Sequence, residues 1–149
     1  GGPVSRLGWE EFKIVLPAGD PLIRREALAL DELADREWVM FDAENGLHDL
    51  VVQACAAAPG KPFVPKHAVL TSQVEAAARL AYAGVGPALV PENTIPDGLS
   101  GSVLRVDPPL GRELTAYARS AWTPLARAFV DLMEGASWSD PPLDATLIA

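Results

Sequence analysis

The densest group of chemistry-bearing side chains is Asp42, Glu44, His48 and Asp49, all within one short stretch. Such a set can hold a divalent cation, but it lacks the alternating oxygen donors and distant glutamate of a calcium loop. It reads instead as an acidic first turn, where carboxylates face the positive end of a helix dipole. Cys55 falls on an apolar helical face, where a thiol behaves as a small hydrophobe rather than a nucleophile. His67, beside Lys66, reads as an edge-strand residue, and Arg24 and Arg25 next to Glu26 as a solvated face. Gly84-Val85-Gly86 resembles half of a dinucleotide fingerprint. It follows a helix and precedes a strand, however, the reverse of what pyrophosphate binding needs, so a helix cap and tight turn explain it. The sequence contains no G-x-S-x-G elbow, P-loop, H-E-x-x-H or C-x-x-C. No base with an orienting third partner is in sight, so no catalytic residue, metal or cofactor is expected. Trp9, Trp38, Trp122 and Trp138 read as core or interface packing.

The elements that would position any site are punctuated by 14 prolines and 12 glycines. Phe12, Ile14 and Leu16 alternate as a strand that Pro17 and Gly19-Asp20-Pro21 end. A short helix is expected over Leu30–Ala34, and Trp38–Phe41 reads as a strand buried on both faces of a parallel sheet. Leu47, Leu50, Val51, Ala54, Cys55 and Ala58 make one helical face, capped by Asn45 and stopped by Pro59-Gly60. Lys66–Leu70 reads as a strand running into Ser72-Gln73-Val74-Glu75, a capping-box pattern for a helix to about Tyr82, with Gly84 as its C′ residue. Pro87–Val90 is a further short strand. Ser102–Val106 and Glu113–Ala118 read as two strands separated by Pro108, Pro109 and Gly111. Thr123-Pro124 opens a last helix that Gly135 closes, with Leu125, Phe129, Leu132 and Met133 as its apolar stripe. Residues 1–9 carry no period, and the tail from Ser137 is expected to be loose.

This order calls for an α/β fold with a mostly parallel sheet. Ligands on such sheets gather at the carboxyl ends of strands, where loops enter helix N-termini. Two loops qualify, Phe41–Leu47 and Leu70–Gln73, and both suit small anions or carboxylates.

The 149 residues suit one domain or two small lobes, and a 49% apolar composition suits a folded chain. The net charge of −8 argues against direct grip on a phosphate backbone. Apolar stretches such as Val51–Ala58 are far shorter than the roughly 20 residues a bilayer demands. A single cysteine and no secretion signal make the cytoplasm the expected compartment.

Several motifs in shared order resemble the LysR-type transcriptional regulators. Phe12-Lys13-Ile14-Val15-Leu16-Pro17-Ala18-Gly19-Asp20-Pro21-Leu22 is similar to the family's "lvLPaxHPLa" segment, with Asp20 where histidine is common. Asp31-Glu32-Leu33-Ala34 followed by Trp38-Val39-Met40-Phe41 matches a second stretch. Leu80-Ala81-Tyr82-Ala83-Gly84-Val85-Gly86-Pro87-Ala88-Leu89-Val90-Pro91-Glu92 resembles "LVaaGlGvaLlPe", with Pro87 in place of a β-branched residue and hence a later strand start. Arg112–Arg119 and Pro124–Met133 are similar to the closing strand and final helix.

The resemblance implies a portion of the effector-binding domain, in a type 2 periplasmic-binding-protein-like α/β fold: the second lobe complete, with part of the first lobe. Residues 1–9 would be a leader or truncated connection and 10–100 the second lobe with a crossover strand. Residues 101–136 would be the returning strands and last helix of the first lobe, and 137–149 a tail. It further implies a sensor that takes a small molecule, a carboxylate or aromatic acid, into an interlobe cleft. That would shift the arrangement of a homo-oligomer on DNA and so control transcription, without chemistry on the ligand. DNA would be touched only through an N-terminal winged helix-turn-helix that has no counterpart in this sequence. Carried over by position, the effector residues are Leu70, Thr71, Ser72 and Gln73, with Phe41, Asp42, Asn45 and Gly46 as neighbours. The stripe on the last helix would ordinarily pack on a sheet built partly elsewhere, so self-association, a swapped element or a disordered last helix is expected. The alternative is one lobe of an extracytoplasmic solute-binding protein of similar fold.

Overall fold

A computed structural model describes residues 2–117, 121–135 and 140–148. Its backbone is organised by two long strands, β1 (Val4–Val15) and β6 (Val103–Tyr117), which run antiparallel as one ribbon. β2 (Ala27–Leu28) pairs with β6 and β5 (Ala88–Pro91) with β1, giving the order β2-β6-β1-β5. A separate parallel pair joins β3 (Glu37–Phe41) to β4 (Lys66–Thr71). A 2.9 Å bond from the Val39 N–H to the Pro87 carbonyl ties that pair to the entrance of β5. The main sheet is therefore mixed rather than mostly parallel. Because the chain enters along β1 and returns along β6, their contact must be antiparallel, whatever the crossovers between them dictate.

β1 begins at Val4, although residues 4–9 have no apolar period. They form a strand because β6 supplies backbone partners, such as Val4 opposite Tyr117 and Glu10 opposite Arg112. The two strands expected on either side of Pro108-Pro109 are halves of the single β6. Phe12 pairs with Leu110 but Lys13 with Arg105, so Asp107–Pro109 swing out of register and the prolines sit where no ladder N–H is required. Ala118, Arg119, Ser137 and Trp138 lie outside the described residues.

Between β2 and β3, residues Leu30–Leu33 form one 3-10 turn rather than an α-helix, with the Glu32 carboxylate accepting the Ala29 N–H at 2.8 Å. Asp20 caps another such turn, Pro21–Arg24, by accepting the Leu22 N–H at 3.0 Å. It also accepts from Arg36, at 2.7 and 3.3 Å, which accounts for an acid at this position.

α1 (Gly46–Ala56) follows β3 and buries Leu47, Leu50, Val51, Ala54 and Cys55. α2 (Val74–Tyr82) follows β4 and closes in a Schellman motif: Gly84 N–H to Ala81 C=O, Val85 N–H to Leu80 C=O, with Gly84 at φ +113°. Gly86, the second glycine of the G-x-G, has a different task. A Cβ there would collide with the Glu37 carbonyl oxygen, so glycine lets the chain into β5 pass against β3.

The core gathers Phe12, Ile14, Leu16, Leu33, Trp38 and Phe41 between the sheets and the two helices. The Trp38 indole donates to the Leu33 carbonyl at 3.1 Å, and its ring lies 6.0 Å from that of Phe63. α3 (Pro124–Glu134) stands apart: Thr123 caps it, Val130 alone is buried, and the stripe residues Leu125, Phe129 and Leu132 are exposed. The tail is not loose throughout. Residues Thr146–Leu147 form β7, parallel to β6, and Ile148 is buried. The open edge of β6 at Leu110–Gly111 captures a segment too short to show a period.

Candidate functional site

The parallel pair β3–β4 places Phe41 opposite Thr71, so both strands release their chains at the same end. From there one loop enters α1 and the other α2, which sets two helix N-termini side by side. The Asp42 N–H donates to the Thr71 carbonyl at 3.1 Å, extending the pairing into the loops.

Asn45 holds the two loops together. Its Oδ1 accepts the Leu47 N–H at 2.9 Å, capping α1, while its Nδ2 donates to the Ser72 carbonyl at 2.8 Å. The Asp42 carboxylate in turn accepts the Asn45 N–H at 3.1 Å. One amide thus serves as cap and brace, and the loop before α1 is preorganised.

α2 begins differently from the capping-box expectation. Gln73, not Ser72, is the N-cap, and it makes no side-chain cap bond. The Ser72 carbonyl is drawn to Asn45, the chain stays extended for one more residue, and Glu75 pairs with Arg79 at 3.2 Å instead of reaching back. Thr71 Oγ1 accepts the Gln73 N–H at 3.2 Å. The start of α2 therefore presents first-turn N–H groups without a side-chain cap, beside the exposed Ser72 and Gln73.

Of the residues expected at the site, Leu70, Ser72, Gln73 and Gly46 are exposed, while Thr71, Asp42 and Asn45 are half-buried. Phe41 is 1% exposed and belongs to the core, so only its backbone reaches this end of the sheet. The geometry suits a small anion or a polar group with acceptor oxygens. It offers no acid–base pair.

The other chemistry-bearing groups are dispersed. Burial pushes the Cys55 thiol up to about 12, so it is protonated at neutral pH. His48 Nδ1 lies 3.2 Å from the Asp49 carboxylate on the exposed side of α1, and His67 is exposed on β4. Among the described residues, no three His, Cys, Asp or Glu side chains come together as a metal site. Also among the described residues, no helix is long and apolar enough to cross a membrane.

One polar pair, a buried Glu10 with a half-buried Arg112, has no signature in the sequence. Glu10, 7% exposed, accepts from Arg112 Nε at 2.7 Å, and the guanidinium lies 5.5 Å from the Phe12 ring centroid. The two residues are 102 positions apart, so only strand pairing could reveal them.

Residues 3–137 match the family model described as the LysR substrate binding domain. No curated protein matches the sequence. Among solved structures, the effector binding domain of QuiR in complex with shikimate superposes with a TM-score of 0.66 at 22% identity, covering 87% of this chain and 63% of that one. The C-terminal domain of a probable LysR family transcriptional regulator from Rhodococcus sp. RHA1 gives 0.66 at 20% identity, covering 88% and 66%. An OxyR mutant from Porphyromonas gingivalis gives 0.73 at 19% identity, covering 99% and 70%. The chain thus spans just under two thirds of the first two structures. At these identities the likeness is one of fold.

Proposed function

Because the chain belongs to the LysR substrate binding domain family, we propose that it senses a small-molecule effector for a transcriptional regulator. Its fold is the type 2 periplasmic-binding-protein-like α/β fold of that family. In this reading residues 10–100 are the second lobe, 101–136 return to the first, and the effector lies in the cleft between lobes. The site is formed by the loops 41–46 and 70–73. The observation that carries it is the arrangement of those loops: Asn45 braces them through the Ser72 carbonyl, and the adjoining start of α2 lacks a side-chain cap. Uncapped N–H groups at a helix start favour an anion or carboxylate, and Ser72 and Gln73 supply further hydrogen bonds. The QuiR domain was solved with shikimate, a hydroxylated carboxylate, which supports carboxylates as the ligand class.

The protein would act without chemistry on its ligand, as one component of a cytoplasmic homo-oligomer that reaches DNA through another domain. A ligand alters such an assembly only by binding one arrangement better than another. The exposed stripe on α3 would be the face that the remainder of the first lobe covers.

The test is calorimetry and thermal shift on the full-length protein with small carboxylates and aromatic acids, beginning with shikimate. One acid is expected to bind and raise the melting midpoint. Ser72→Ala and Gln73→Ala should each weaken it by about fivefold, the worth of a typical hydrogen bond. Binding left unchanged by both substitutions would displace the site from these loops, and turnover of the bound acid would overturn the sensor reading.

A further inference from the structure

The β1–β6 ribbon shifts register twice, by one residue between Arg6 and Gly8 and far more widely between Phe12 and Lys13. Up to Phe12 it pairs with Leu110–Tyr117, and from Lys13 onward with Val103–Arg105, so Asp107–Pro109 face no partner on β1. A ribbon interrupted in this way bends more easily there than where its strands stay paired, because the ladder is absent for several residues.

The tail crosses this weak point. Thr146 and Leu147 pair with Leu110 and Gly111, and the Ile148 N–H donates to the Gly111 carbonyl at 2.8 Å. The Ile148 side chain is 4% exposed. Thr146 lines an apolar recess with Leu30, Ala54, Ala58, Pro108 and Leu110, so the tail and the end of α1 border one recess beside the register jump. On its other side Leu147 and Ile148 line a recess with Arg112, the partner of buried Glu10. The charge of Asp144 reaches Arg105, across the discontinuity, where Glu11 is the main partner.

We propose that residues 144–148 are a hinge strap: an edge strand that braces the register jump of the ribbon beside the end of α1 and limits how far its two halves bend. The strap itself stands on this geometry. Only its link to effector response, through lobes that close by bending this ribbon, rests on the reading above.

Hydrogen exchange of the ligand-free protein tests it. Ile148→Asp expels the buried side chain, and Ile148→Pro replaces that side chain and also removes the N–H that Gly111 accepts. Both should speed exchange in peptides covering 9–14 and 105–113 by about fivefold or more, with peptides covering 74–91 unchanged and Ile148→Val at native rates. Unchanged rates at 105–113 in both variants would overturn the strap. So would equal acceleration at 74–91, since the tail would then merely support the whole fold. Neither result bears on effector binding, because no ligand is present.

Discussion

α1 and α3 are both 11-residue amphipathic helices with a side-chain N-cap, yet they have opposite fates. α1 buries five residues against β3 and the core, whereas α3 buries only Val130 and leaves Leu125 at 82% and Leu132 at 72% exposure. Periodicity states which face a helix can bury; it does not supply the surface that covers it. α1 lies between β3 and β4 in the chain and finds that surface nearby in sequence. α3 follows the return of β6 and touches β1, but Leu125, Phe129 and Leu132 of its stripe stay exposed among the described residues.

This contrast is sharpest for charged substitutions. Val51→Asp should cost about 4 kcal/mol or more, because it buries an unpaired carboxylate. Circular dichroism is expected to show loss of the native fold. Phe129→Asp should change stability by no more than about 0.5 kcal/mol, as exposed sites generally do, while reducing self-association by light scattering. A large loss of stability from Phe129→Asp would mean that α3 is packed after all.

The caps offer a milder comparison. Asn45→Ala removes both the α1 cap and the brace to Ser72, and should lower stability by about 2 kcal/mol in urea titration. Thr123→Ala removes only the bond to the Ala126 N–H and should cost about 1 kcal/mol or less, because α3 contributes little to the core. Equal costs would show that the Asn45 bridge adds nothing beyond capping.

The smallest expected effect is on pH dependence. The hydrogen bond from Arg36 holds the Asp20 carboxyl below its usual range against the opposing pull of burial, with the Leu22 N–H assisting. For Glu11, burial acts to raise the carboxyl, but the Arg105 hydrogen bond and the charges of Lys13 and Arg105 outweigh it and lower it. Both groups are more acidic folded than unfolded, so their contribution is complete above the ordinary carboxylate value of about 4 and fades as pH falls below it. Arg36→Ala should flatten that region of the acid limb in a series of urea midpoints, with its loss of stability present at pH 7 and vanishing as Asp20 is protonated.

Much of the fold was legible because its signals are local. The Asn45 cap, the α1 face, the Gly84 stop, the buried β3 and the Thr123 cap each depend on residues within a turn or two of one another. The two loops of the candidate site could be located for the same reason, since each lies between a readable strand and a readable helix. What they do to each other could not. The Asn45 bond to Ser72 spans 27 positions and moves the start of α2 from Ser72 to Gln73, undoing the capping box that the local pattern suggested.

By itself the sequence determined which segments could be strands and helices, which faces were apolar, and the family resemblance carried by their order. Tertiary structure alone decided that β1 starts at Val4, that the prolines at 108 and 109 interrupt a single strand instead of dividing a pair, and that the tail docks on Gly111. In each of these cases the determining partner is a backbone edge or a charge far away in the chain. Backbone hydrogen bonds accept almost any side chain, so such pairings leave no mark on composition or period.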